Sequence, residues 1–345
     1  MRDAPPRPVV FVKVSVATVT YNHERFLAQA LESALEQRTD FPFEIVVSED
    51  CSTDRTRAIA QKYAREHSGR IRLLTNDSNL GLTRNMAETL AACRGEYIAI
   101  LEGDDYWTDP EKLQRQADYL DANRDCAWCF TRAIVVDQHG APVEVPAAVR
   151  TVRPKYTLAE YLERQFQPRF CTVMFRHHLF ARFPDWYFRM PTADLPLHVL
   201  NAEAGGGIGF IDEPMAAYRI HEGGVWSQGV TPVDWFKQSP GQMAKLATRF
   251  SHLVELYQAV DQHFGGAHRK IVRTQIARFA SQACWINKAL GDRAAARRNA
   301  WTAIRAQVSI GKVPKPGLFL AALGSWLPPG RRWGVDRLSR RPIAE

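Results

Sequence analysis

Through the first 107 residues, short apolar runs alternate with segments of helical period, and this alternation constrains the fold more than any other feature. Val9 to Val19 is almost continuously apolar and rich in Val, the pattern of a strand buried on both faces. Phe26, Leu27, Ala30, Leu31, Ala34 and Leu35 recur at helical spacing, which predicts an amphipathic helix over 24–37. The same reading places strands at 44–48, 71–75 and 97–101. Helices are expected from a Ser52-Thr53-Asp54 cap to about Glu66, and over 83–93. Thr108 and Glu111, with Pro110 between them, have the spacing of a capping box and predict a helix to about Asn123. Repeated strand–helix units imply an α/β chain. Its sheet should be doubly wound and mostly parallel, with helices on both faces. Such sheets bind ligands beyond the carboxyl ends of their strands.

Three strand ends carry polar chemistry. The first ends in Thr20, Tyr21 and Asn22, the second in Glu49, Asp50, Cys51 and Ser52. The fourth ends in Glu102, Gly103, Asp104, Asp105, Tyr106 and Trp107. Three carboxylates within four residues repel one another unless a cation or hydrogen-bond donors compensate them. Mg²⁺ or Mn²⁺ suits such oxygen ligands, with phosphate completing the shell. The competing reading is an acidic surface turn, but Tyr106 and Trp107 beside it do not suit a solvated turn. Asp50 fits either a ligand to a base or ribose, or a cap for the following helix.

Several classes are excluded. The 46% hydrophobic and 24% charged fractions are those of a folded globular chain rather than a disordered one. No G-x-x-x-x-G-K-[ST], G-x-G-x-x-G or G-x-S-x-G occurs in the right context; Gly205 to Gly209 has neither spacing nor setting. Cys126 and Cys129 form a lone C-x-x-C that runs into an apolar stretch, and read as buried thiols at the start of a strand. No apolar run reaches the ~20 residues of a membrane span. The apolar stretch at Val9–Val12 is too short for a signal-peptide core, so a cytoplasmic protein is expected.

These motifs, taken in order, resemble family-2 glycosyltransferases. They are VSVATVTYN (14–22), EIVVSEDCSTD (44–54), NLG (79–81) with Arg84 and Asn85, and GEYIAILEGDDYW (95–107). The resemblance covers about 12–230. It implies a GT-A fold and an inverting transfer from a nucleotide-sugar donor, typically a UDP-sugar. It implies that Thr20, Tyr21 and Asn22 line the nucleotide pocket and that Asp50 binds the base; Arg84 suits a phosphate contact and a pairing with a surface acid equally. Asp104 would hold Mg²⁺ or Mn²⁺ against the diphosphate, with Asp105 and Glu102 adjacent. Glu49 and Glu102 stand where the family more often has Asp. PTADLPLH (191–198) resembles the segment bearing the catalytic base, which maps to Asp194, a carboxylate able to take the acceptor hydroxyl's proton. YRIHEGGVWS (218–227) resembles the loop over the diphosphate, with His221 either a metal ligand or a hydrogen-bond partner of a phosphate, and Arg219 offsetting leaving-group charge. A sugar nucleotidyltransferase would want a Gly-rich, Arg-containing phosphate loop after the first strand, which is missing. A non-catalytic nucleotide-binding protein would not need the Asp50, Asp104 and Asp194 set.

The chain is expected to divide into a transferase domain over 1–232 and a basic helical region over 233–345. The first would comprise a nucleotide half (1–107) and an acceptor half (108–232). From 262 to 345 there are sixteen Lys/Arg and three Asp/Glu, a net of +13, which leaves −5 of the formal +8 for residues 1–261. Apolar periodicity predicts one helix from about 271 to 290, ended by Gly291, and a second capped by Asp292 and running to about Arg305. Trp326, Trp333 and five arginines between 331 and 341 suit the inner face of the plasma membrane as well as a packed tail. Membrane contact would serve a lipid-linked or glycan acceptor. No nucleic-acid-binding module is recognisable.

Overall fold

The computed structural model of the protein describes residues 11–145, 149, 152–180, 182–224 and 239–324. Chain packing divides it into two compact units, Met1–His221 and Glu222–Glu345. The expected boundary at 232/233 lies outside the described residues.

The first unit is built on one sheet. Its first strands and helices alternate: β1 (Val14–Thr20), α1 (Leu27–Leu35), β2 (Phe43–Glu49), α2 (Thr56–Glu66), β3 (Ile71–Thr75), α3 (Leu82–Ala92) and β4 (Tyr97–Ile100). Then come β5 (Tyr106–Trp107), α4 (Lys112–Ala122), β6 (Cys126–Val136), β7 (Lys155–Tyr156), α5 (Leu158–Leu162), β8 (Val173–Arg176), α6 (Asp194–Gly205) and β9 (Gly207–Arg219). The strand order is β3-β2-β1-β4-β8-β6-β9-β5, with β7 also on β9. The long ladders, β1 with β2 and β4, β2 with β3, and β6 with β9, are parallel. The antiparallel ones register only two or three residue pairs. All seven residues of β1 are buried, so both faces of the sheet are covered there, as its continuous apolar run requires.

The expected strands and helices of the nucleotide half are present to within a few residues. One local expectation fails. Thr108 does not cap α4: its Oγ1 donates to the Pro214 carbonyl, and the Asp109 carboxylate accepts the Glu111 N–H at 2.8 Å instead. Asp and Thr compete for orphan N–H groups at a helix start, and here the residue closer to the helix reaches them. Cys126 and Cys129 are buried free thiols in β6, as expected.

The second unit, among the described residues, is four helices: α7 (Pro240–His263), α8 (Arg269–Ala289), α9 (Arg293–Val308) and α10 (Pro316–Leu323). Gly291 turns the chain at φ 82° and Asp292 caps α9 by accepting the Ala295 N–H, as its sequence predicts. The long helix α7 was not anticipated. Ser239 and Gln242 form a full capping box ahead of it, with Pro240 in its first turn. Trp326, Trp333 and the arginines beyond 330 lie outside the described residues. Among the described residues, no helix is long and apolar enough to cross a membrane.

Candidate active site

The carboxyl ends of β1, β2 and β4 meet in a set of linked loops. Asn22 and Cys51, each just past its strand, adopt left-handed backbone at φ 55° and 58°. Asn22 then ties the first loop to the second. Its N–H donates to Ser52 Oγ at 3.0 Å, and its side-chain oxygen accepts the Thr53 N–H at 2.9 Å. His23 N–H donates to Thr56 Oγ1, and Glu24 N–H to Asp54. This bracing leaves the Tyr21 ring on the surface, 42% exposed, beside the loops.

Asp50 sits at the centre of a third connection. It is 3% exposed and accepts from Asn76 Nδ2 (2.9 Å), Leu80 N–H (2.8 Å) and Gly81 N–H (3.0 Å). It therefore fixes the Asn79–Gly81 loop at the start of α3, a structural part that the sequence did not disclose. Glu49 is buried; its longer side chain reaches the Ser52 N–H at 2.6 Å and Arg57 Nε at 2.5 Å. Arg84 lies exposed in the first turn of α3, its guanidinium 5.3 Å from the Phe188 ring centroid.

The acidic turn between β4 and β5 sorts its three carboxylates. Gly103 packs so closely on Thr20 that a Cβ there would lie 2.5 Å from Thr20 Oγ1 and 3.0 Å from His23 Nδ1. The next residue, Asp104, projects towards two imidazoles: its Oδ2 is 2.9 Å from His221 Nε2 and 3.8 Å from His23 Nε2. Donor atoms of His23, Asp104 and His221 all lie within 4.8 Å of one another, and form the group able to hold a metal ion. Burial pushes Asp104 upward, but His23 and His221 outweigh it and hold the carboxyl below its usual range. Burial holds His23 below the usual histidine value against the pull of Asp104.

Glu102 and Asp105, expected beside Asp104, do not join that group. Asp105 is turned inward, 1% exposed, and accepts the Arg219 N–H at 2.8 Å. Burial and the Asp104 charge push it well above the ordinary carboxylate range. Burial, then Asp104, Asp105 and Asp194, does the same to Glu102. The three adjacent carboxylates are thus set apart, Asp104 being held below the ordinary range and Glu102 and Asp105 pushed above it.

Arg219 is held within the protein. It is 4% exposed, and its guanidinium donates to the Asp104 carbonyl (2.9 Å), the Asp137 carbonyl (3.4 Å) and Gln29 (2.6 Å), between the Phe26 and Tyr106 rings. An arginine so engaged braces the acidic turn against the end of β9. His221, two residues later, is delivered to Asp104 by that brace, with the Phe26 ring 4.9 Å from its own. His23 was missed. Its signal was its position, one residue past the Thr20–Asn22 motif at the same strand end.

Asp194 opens α6 as its first helical residue rather than its N-cap, which is Ala193. Its Oδ1 is buried without a hydrogen-bond partner. Burial pushes its pKa above the ordinary value against hydrogen bonds from Leu195 and Thr192. The Asp194 charge also contributes to the upward shifts of Glu102 and of the Tyr187 hydroxyl, after burial in both cases.

Comparisons with known proteins agree with this architecture. Residues 15–180 match the family described as "Glycosyl transferase family 2". Rv1520 of Mycobacterium tuberculosis (strain ATCC 25618 / H37Rv) is 34% identical over 235 residues, covering 66% of this chain and 64% of that protein. The chain therefore spans just under two thirds of this relative's length. The crystal structure of S. aureus TarS 1–349 in complex with UDP-GlcNAc superposes with a TM-score of 0.52 at 19% identity, covering 88% of this chain and 93% of that one. The mannosyltransferase PcManGT from Pyrobaculum calidifontis, in complex with GDP-Man and Mn²⁺, superposes at 0.51 and 16% identity, covering 94% and 89%. At such identities the superpositions speak for the fold alone, which is of the GT-A type, and the sequence match for the family: residues 15–180 match a glycosyl transferase family 2 domain.

Proposed function

We propose that this chain is an inverting glycosyltransferase. It would move a sugar from a nucleotide-sugar, a UDP-sugar by preference, to a hydroxyl of a glycan or lipid-linked acceptor in cell-surface polysaccharide synthesis. The observation that carries the reading is the presence, within one unit, of two differently tuned carboxylates. Asp104 is held ionised beside two imidazoles, while Asp194 is raised in pKa with one oxygen unpartnered.

In this reading Asp194 accepts the proton of the acceptor hydroxyl as that oxygen attacks the anomeric carbon. The nucleoside diphosphate leaves from the opposite face, so configuration at that carbon inverts. Burial suits Asp194 to this task, because a carboxylate of raised pKa is a stronger base. Asp104 and His221 supply a carboxylate and an imidazole that fit Mn²⁺ or Mg²⁺; such an ion, when bound, offsets charge growing on the diphosphate. Exposed Tyr21 offers a ring for the base to stack on, and Thr20, Asn22 and Asp50 shape that end of the pocket. Arg84, in the first turn of α3, contributes charge for a phosphate.

The transferase domain would span 1–232, with a nucleotide half to 107 and an acceptor half beyond, followed by the basic helical region over 233–345. That region would bring a cytoplasmic enzyme to the inner face of the plasma membrane. The test is turnover of a donor panel of UDP-, GDP- and dTDP-sugars, read as release of the nucleoside diphosphate. Release from one donor class that is lost in Asp194→Asn supports the reading. A folded protein that turns over none of them overturns it.

A further inference from the structure

We propose that His23 is a third metal ligand, so that Asp104, His221 and His23 form a two-histidine, one-carboxylate site that takes Mn²⁺ and its transition-metal neighbours in preference to Mg²⁺, before any nucleotide binds. The proposal deepens the transferase reading and rests on Asp104 as its metal-holding carboxylate.

The geometry supports it in three ways. First, His23 Nε2 lies 3.8 Å from Asp104 Oδ2, which is beyond hydrogen-bond reach. A simple carboxylate–imidazole pair would close to about 2.9 Å, as His221 does with the same oxygen at 2.9 Å. Two donors bound at about 2.1 Å to one ion are held roughly 3–4 Å apart, a range that contains the 3.8 Å separation of His23 from Asp104, while His221 at 2.9 Å lies at its lower edge. Second, His23 is aimed. Its Nδ1 lies 3.3 Å from Thr20 Oγ1, its backbone N–H is held by Thr56, and its carbonyl accepts the N–H groups of Phe26 and Leu27 at the start of α1. An outer partner on one ring nitrogen, which directs the other towards the ion, is the usual support of a metal-binding histidine. Third, the absence of a side chain at Gly103 lets Thr20 and His23 approach the acidic turn this closely.

Donor chemistry then sets the choice of ion. Mg²⁺ favours oxygen and keeps its water, whereas a site with imidazole nitrogen gains affinity along the transition series from Mn²⁺ through Co²⁺ towards Zn²⁺. Two of the three protein donors here are nitrogens.

The test is pulsed electron paramagnetic resonance of the full chain loaded with Mn²⁺ and without nucleotide. Two classes of imidazole ¹⁴N coupling are expected in the unaltered protein, and one in His23→Gln. Mn²⁺ affinity should fall about tenfold or more in that variant, and a hundredfold excess of Mg²⁺ should not displace Mn²⁺ from the unaltered protein. A single nitrogen coupling in the unaltered protein overturns the proposal without any variant being made. So does equal competition by Mg²⁺. These readouts involve no sugar donor, so failure here leaves the turnover test standing, and failure there leaves this one standing.

Discussion

Asp194 and Gly103 show how single residues carry opposite burdens. A carboxyl whose folded pKa lies above its unfolded one binds more protons when folded. Its contribution to stability therefore declines as pH rises from the unfolded value through the folded one. Burial raises Asp194 in this way, so Asp194→Asn should abolish transfer while leaving the melting temperature at pH 7.5 equal or higher. A loss in kcat of roughly 10²–10⁴ is expected for a general base. A variant both inactive and less stable would make Asp194 a structural residue instead. Because only the ionised form accepts a proton, the acid limb of the kcat profile should lie above the ordinary Asp value of 3.8. At Gly103 the constraint is steric. A methyl group would sit 2.5 Å from a buried β-branched side chain that has little freedom to retreat. Gly103→Ala should cost about 1–3 kcal/mol in a denaturant melt and weaken Mn²⁺ binding through displaced His23. Asp50, Asp104 and His221 were legible as candidates because motif and strand end coincide, and Asp194 from its motif alone. The inward turn of Asp105 and the engagement of Arg219 were not, since both depend on β9, more than 100 residues away, returning beside β5.

Among the elements, β2 and α2 show a substitution put to structural use. Glu49 uses its extra methylene to reach Ser52 and Arg57 from a fully buried position. Removing the cation would leave a buried charge unpaired. Breaking such a pair costs about 3–5 kcal/mol when both partners are buried, and less here because Arg57 is a third exposed. Arg57→Met should therefore lower stability by roughly 2 kcal/mol in a urea titration, and an unchanged midpoint would contradict the pairing. The parallel strands were readable because burial on both faces leaves an unbroken apolar run. The short β5 and β7 were not, since two residues carry no periodicity. α7 was hidden by a mixed polar pattern, although Ser239 and Gln242 stood ahead of it with a capping-box spacing.

For the whole molecule, charge and chemistry are divided along the chain: the candidate site lies before residue 222, and the basic residues concentrate after 262. If that basic region brings the enzyme to its acceptor, the full chain should sediment with anionic vesicles at low salt. Binding should fall steeply between about 50 and 300 mM NaCl, as screening shortens the reach of surface charge. Equal binding to neutral vesicles would refute an electrostatic attachment. The central claim is that the strand-end site holds a nucleoside diphosphate through a metal on Asp104. The most direct measurement is calorimetric titration of the full chain with UDP in Mn²⁺, then in EDTA, with Asp104→Ala alongside. The account predicts binding that disappears on chelation and in the variant. Affinity for UDP that survives both, or no affinity for UDP, GDP or dTDP in a folded protein, would contradict it.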